Sequence, residues 1–206
     1  MAEGYTEAFV EVAETKLHLL RGGQGEPLLI LHSAGGNRGW LAFAQLLAQR
    51  FEVYVPDHPG FGKSDQPEWI TSVPDLACFY LWALEDLGLS RLRVLGLSLG
   101  GWLAAEMAVM CPHLFERLIL VGAAGVKPTQ GEITDIFLLS PAELTAKLFH
   151  DPKQGQSMSS YTARRQLLKS KICSPAIMRW RPASPGSPIC MTRACRPCCV
   201  ACICRH

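Results

Sequence analysis

The feature that most limits how this chain can fold is the segment at residues 91–108, RLRVLGLSLGGWLAAEMA. An apolar stretch at 91–96 runs without a linker into Gly96-Leu97-Ser98-Leu99-Gly100, and an Ala-rich helical stretch at 100–110 follows, ended by Pro112. A strand that turns this sharply into a helix leaves little room around the bend. Gly96 and Gly100 remove the Cβ atoms that would collide with the neighbouring helix and strand. The helix then points its free N–H groups and its positive end toward the bend. Ser98 sits there as the candidate nucleophile, and the N–H of Leu99 is a candidate donor to an oxyanion. The five-residue pattern alone recurs by chance. Its weight here comes from the strand before it and the helix after it.

The rest of the first 126 residues agrees with that reading. Residues 8–13 and 16–21 read as two short strands, and Gly22, Gly23 and Gly25 mark a turn. The all-apolar run at 27–31 is what a strand covered on both faces requires. Leu41, Ala44, Leu47 and Ala48 recur at helical spacing within 40–50. A strand is expected at 51–55. A helix is expected over 74–87, with Leu76, Phe79, Tyr80, Ala83 and Leu87 on one face and Gly88 as its stop. A further strand falls at 118–121. After the initial hairpin, strands and helices alternate, which predicts an α/β fold with a mostly parallel sheet and helices on both faces.

Two segments upstream of Ser98 sit at the ends of predicted strands. LLILHSAGG brings His32-Ser33-Ala34-Gly35-Gly36 to the end of the 27–31 strand, where glycine-rich backbone can approach a ligand closely. An ordinary glycine turn explains the same residues equally well. VPDHPGFGKSD brings Asp57 and His58 to the end of the next strand. There Asp57 is read as fixing the loop and Pro59-Gly60 as setting a turn, in preference to a catalytic pair.

Together with GLSLGG and LILVGAAG, these stretches resemble the α/β-hydrolase superfamily, in particular its serine esterase and meta-cleavage hydrolase branch with a helical cap. The resemblance covers about residues 27–126. It implies that Ala34 supplies the second oxyanion N–H beside that of Leu99. It also makes His32, Ser33 and Leu97 candidates for the substrate pocket. Ser33 stands where the family usually has glycine, and Leu97 where it often has histidine; neither change removes a reacting group. A serine rather than an aspartate at the bend argues against haloalkane dehalogenases and epoxide hydrolases, which need a carboxylate nucleophile. The implied activity is hydrolysis of carboxylic esters through an acyl-enzyme on Ser98. Carbon–carbon bond hydrolysis on the same scaffold is the alternative. No cofactor is implied, because serine acyl transfer needs none.

The acid and the histidine that would complete such a site come later in this fold, in the order Ser, Asp/Glu, His. Only His113, His150 and His206 follow Ser98. His113 reads as surface, His150-Asp151 as a helix-end pair, and His206 as a frayed terminus. The sequence therefore reads as a core at 1–126, a partial helical cap at 127–172 and an irregular tail at 173–206, with the late strands missing. Ser140, Pro141 and Glu143 mark a helix start within the cap. Leu138, Leu139, Leu144, Leu148 and Phe149 serve equally as an apolar pocket lining or as plain core. A catalytically impaired fragment is thus a second reading of the whole chain.

Seven of the nine cysteines lie in the tail, and residues 171–206 carry six basic side chains and no acidic one. That composition resembles GC-rich coding sequence read out of frame. Joining the last base of each codon to the first two of the next turns Met191-Thr192 into aspartate. Within 176–206 the shifted frame allows ALAAGFAWQPYLHDPRLPPLLRRVHLP, an ordinary continuation for this family. A one-base slip before about residue 176 is the hypothesis. The rival is a zinc module at Cys195, Cys198, Cys199 and Cys202, but the two pairs abut where structural sites separate them, so no metal site is assigned.

A formal net charge of +2 over 206 residues argues neither for nucleic acid nor for a membrane surface, and no nucleic-acid partner is expected. No secretory leader or bilayer-length apolar run is evident, so no membrane partner is expected and the cytoplasm is the expected compartment. The expected partner is a small-molecule ester. A sheet that ends early also predicts an apolar exposed edge and self-association through it.

Overall fold

Ala13 and Glu14 reverse the chain in two residues, both at positive φ (47° and 60°), as a tight hairpin whose strands twist together requires. They join β1 (Tyr5–Val12) to β2 (Thr15–Gly22) in a computed structural model that describes residues 4–126, 128–131, 133–134 and 138–151. The strand β3 (Glu26–Leu31) follows, then helix α1 (Ala42–Leu47), β4 (Phe51–Pro56), α2 (Val73–Asp86), β5 (Leu92–Leu97) and α3 (Leu99–Met110). A short 3-10 turn at Pro112–Leu114 leads into β6 (Phe115–Val121), and α4 (Pro141–Leu148) is the last element described.

The six strands form one sheet in the order β1-β2-β4-β3-β5-β6. The hairpin joins β4 antiparallel, and β4, β3, β5 and β6 run parallel to one another. Both faces are covered over the middle of the sheet, as the all-apolar run at 27–31 requires. Leu29 and Leu31 face one side and pack with α2 and α3, around Phe79, Tyr80, Leu84, Leu103 and Met107. Leu28 and Ile30 face the other and pack with Ala44 of α1, Val53 and Val55. The alternation comes from the two-residue period of a strand.

Differences from expectation lie at element ends. α1 is six residues long, well short of the stretch 40–50, and has neither a side-chain cap nor charged residues that favour its ends. β6 begins at Phe115, three residues before the apolar run, because Phe115 and Arg117 pair with Leu92 and Arg93 of β5 across a register shift at Glu116. α4 starts where expected: the Ser140 hydroxyl accepts from the Glu143 N–H, and the Glu143 carboxylate accepts from the Ser140 N–H at 2.8 Å. Leu138 and Leu148 are exposed, so among the described residues they neither fill a core nor line a closed pocket. The tail with its cysteines and His206 lies outside the described residues, as do the frame-shift and zinc readings placed on it.

Candidate active site

Ser98 lies between β5 and α3 with φ 51° and ψ −108°, a conformation that side-chain-bearing residues rarely adopt. Such a residue costs on the order of 1–3 kcal/mol and persists only where its surroundings hold it. Here they do. The Ser98 N–H donates to the Val121 carbonyl at 2.9 Å, and the Ser98 carbonyl accepts from Gly101, Trp102 and Ala124 at 3.0–3.1 Å. The two glycines of the motif act as their positions suggested. A Cβ on Gly96 would overlap the Gly100 carbonyl and lie 2.6 Å from the Gly101 Cα. A Cβ on Gly100 would overlap the Leu31 carbonyl and lie 2.7 Å from the His32 carbonyl oxygen. The bend therefore rests on the end of β3, with backbone against backbone.

That contact brings the His32–Gly36 loop beside the serine. Leu31 is paired with Gly96 across the parallel ladder, so both segments leave the sheet at the same edge. Ser33 starts a tight turn: its carbonyl accepts from the Gly36 N–H at 2.9 Å and its hydroxyl from the Gly35 N–H at 3.3 Å. The Ala34 N–H stays outside those turn bonds. Leu99 is the first residue of α3, where an N–H has no acceptor within its own helix. Ala34 and Leu99 are themselves buried, and Ser33, Leu97 and Ser98 are half-buried.

His32 is enclosed, and both of its ring nitrogens are engaged. The backbone N–H of His58 donates to His32 Nε2 at 2.9 Å, so Nδ1 carries the proton and donates to the Ser33 carbonyl at 2.7 Å. Burial pulls this imidazole down to about 4. His58 and Tyr80 are the residues that sequence reasoning missed. His58 Nε2–H donates to the His32 carbonyl at 3.0 Å, and the Tyr80 hydroxyl donates to His58 Nδ1 at 2.6 Å. Burial, with His32 alongside, pushes His58 well below the ordinary histidine range, and burial raises the Tyr80 phenol. The helical spacing that marked Tyr80 as core carries no trace of its hydroxyl's partner.

Asp57 fixes its loop, as its position after the strand implied. Its carboxylate accepts from the Lys63 N–H at 2.9 Å and from His18 Nδ1 at 2.8 Å, and its carbonyl accepts from the Ser64 hydroxyl. His18 comes from β2, a partner not legible from the loop. The histidines after Ser98 that are described, His113 and His150, are exposed. Among the described residues no histidine or carboxylate hydrogen-bonds the Ser98 hydroxyl. No group of three or more His, Cys, Asp or Glu among them is arranged to hold a metal, and no described helix is long and apolar enough to cross a membrane.

A parallel sheet that delivers a strained serine to a helix N-terminus, beside a glycine-rich loop from the neighbouring strand, defines the class: an α/β hydrolase. The family model for the alpha/beta hydrolase fold matches residues 26–166, and the chain belongs to that family. It is similar to 2-hydroxy-6-oxo-2,4-heptadienoate hydrolase of Pseudomonas putida, 33% identical over 127 residues, 59% of this chain and 44% of that protein. An uncharacterised protein of Mycobacterium tuberculosis is 41% identical over 105 residues, 50% of this chain and 31% of its own length. Among solved structures, a bacterial membrane phospholipase A superposes with a TM-score of 0.67 at 28% identity, over 81% of this chain and 59% of that one. The chain thus spans about a third to three fifths of the length of these relatives.

Proposed function

We propose that this chain is the nucleophile-bearing part of a serine hydrolase that acts on carboxylic esters. Ser98 Oγ attacks the ester carbonyl, the alcohol leaves with a proton, and water then releases the acid from the acyl-enzyme. The N–H groups of Ala34 and Leu99 hold the oxyanion, a contribution of about 3 kcal/mol per donor. The observation that carries this reading is the strained bend itself. The fold holds Ser98 at φ 51° and ψ −108°, far from the ordinary left-handed values with ψ of about +47°, and packs it against two glycines.

The second reading is hydrolysis of a carbon–carbon bond in a dienoic ketone, favoured by the similarity to the Pseudomonas putida hydrolase. Both readings need a base to take the serine proton, and triad deletions elsewhere leave only slight activity. Labelling with a fluorophosphonate is the direct test. Ser98-dependent labelling, lost in Ser98→Ala, is expected. Equal labelling of Ser98→Ala sinks the nucleophile assignment, and no labelling of the parent protein supports a catalytically impaired chain that lacks its base. Turnover of an ester panel beside a vinylogous diketone panel separates the two substrate classes.

A further inference from the structure

We propose that Tyr80 and His58 are positioning residues. Acting through His32, they fix and polarise the Ser33–Ala34 peptide whose N–H faces the reacting oxygen. The inference rests on the oxyanion role given to Ala34 above.

Every hydrogen bond in the chain has a defined direction. A backbone N–H can only donate, so His58 N–H makes His32 Nε2 an acceptor. His32 is then neutral with its proton on Nδ1, and that proton goes to the Ser33 carbonyl. A backbone carbonyl can only accept, so His58 carries its proton on Nε2 and offers it to the His32 carbonyl. His58 Nδ1 is left to accept from the Tyr80 hydroxyl. Two links reach the loop after β3: the side-chain bonds from Tyr80 through His58 end on the His32 carbonyl, and the His58 backbone N–H separately holds the His32 ring.

The end point gives the chain its meaning. The Ser33 carbonyl and the Ala34 N–H belong to one peptide unit. That carbonyl accepts two N–H bonds, from His32 Nδ1 at 2.7 Å and from Gly36 at 2.9 Å. Bonds accepted at the oxygen draw electron density from the nitrogen and make its N–H a stronger donor. They also hold the peptide plane, and with it the direction of the Ala34 N–H. His32 can do this only in one tautomer. Adding a proton at Nε2 would set two N–H groups head to head. The ring is also clamped sideways, with the His58 ring 3.7 Å and the edge-on Phe61 ring 5.1 Å away, both centre to centre. Tyr80 and His58 are 1% and 0% exposed, so water does not substitute for either bond.

The test compares Tyr80→Phe, His58→Leu and His58→Gln, the last of which restores a donor toward the His32 carbonyl. Imidazole nitrogen spectra of the parent protein should identify Nδ1–H on His32 and Nε2–H on His58. Amide proton and nitrogen shifts of Ala34 should move in Tyr80→Phe and His58→Leu and return toward the parent in His58→Gln. Fluorophosphonate labelling, measured per folded molecule, should slow roughly tenfold in Tyr80→Phe and about a hundredfold in His58→Leu, with partial recovery in His58→Gln. The reverse tautomer on His32, or an Ala34 amide indifferent to both Tyr80→Phe and His58→Leu, overturns the proposal. Labelling that needs Ser98 but ignores Tyr80 and His58 overturns it as well. Labelling independent of Ser98 removes the nucleophile reading instead, and the Ala34 and imidazole signals then decide the positioning chain alone.

Discussion

The chain before Cys111 and the chain after it are packed differently. From β2 to α3 the sheet is covered on both sides, and nearly every large apolar side chain of α2 and α3 that faces the sheet is buried. In β6, the outermost strand next to β5, Leu118, Ile119, Leu120 and Val121 are 37%, 47%, 46% and 50% exposed. Consecutive strand residues point to opposite faces, so partial exposure of all four means that neither face is fully covered by described residues. Yet β6 is well paired along its inner edge, and it supplies the Val121 carbonyl that holds the Ser98 N–H. The two regions teach that hydrogen bonding and burial are separable. The bend at Ser98 is held by backbone bonds to β6, while the apolar side chains of that strand contribute little to stability.

The largest test of this contrast sets two changes in α3, before Cys111, against one in β6, after it. Gly100→Val sets side-chain atoms against the carbonyls of Leu31 and His32, which cannot move without breaking the β3–β5 ladder. A loss of at least about 3 kcal/mol in urea unfolding is expected. Leu103→Ala, at a fully buried position of α3, should cost about 2–5 kcal/mol. Similar losses from Leu120→Ala would erase the distinction between the regions.

A smaller effect sharpens the comparison through pH. Unfolded histidine titrates near 6.5, whereas His32 stays neutral down to about 4 and His58 is also held low. Below about pH 6.5 the unfolded chain therefore binds protons that the folded core refuses, and stability falls as pH drops toward 4. Between pH 7 and pH 5 the loss should be about 2 kcal/mol for His32, read from thermal or urea melts. His58→Gln should flatten the decline. An unchanged midpoint across that range contradicts the neutral assignment of both rings.

The smallest effect on stability belongs to β6. Leu120→Lys should alter stability by no more than about 0.5 kcal/mol, since the side chain is half in solvent. It should nonetheless reduce self-association, because an apolar edge with unpaired backbone groups is a template for another strand. Light scattering across a concentration series reads this directly. A parent protein whose mass does not change with concentration removes the edge as an association surface.

Much of the fold was legible in the residues because it depends on local rules. The all-apolar run at 27–31, the helical spacing of Leu76, Phe79, Tyr80 and Ala83, and the Ser-Pro-x-Glu start of α4 each carry their own geometry. The bend was legible partly for the same reason: glycine at 96 has a steric cause within a few residues, at Gly100 and Gly101, whereas glycine at 100 answers to the carbonyls of Leu31 and His32 from a distant strand end. The short α1 was less legible, because nothing in its sequence caps it and packing alone sets its length.

Sequence by itself thus determined the order of strands and helices, the bend, and the serine within it, since periodicity and the turn around Gly96 act over a few residues. Only tertiary structure decided that His18 reaches Asp57, that Tyr80 meets His58, and that His58 holds His32. Those partners lie 22 to 39 residues apart in the chain. A hydrogen bond needs two atoms at about 3 Å, and no local pattern encodes where a distant loop comes to rest. The exposure of β6 was decided at the same level, because a strand's own residues pair its edge but only other elements can cover its faces.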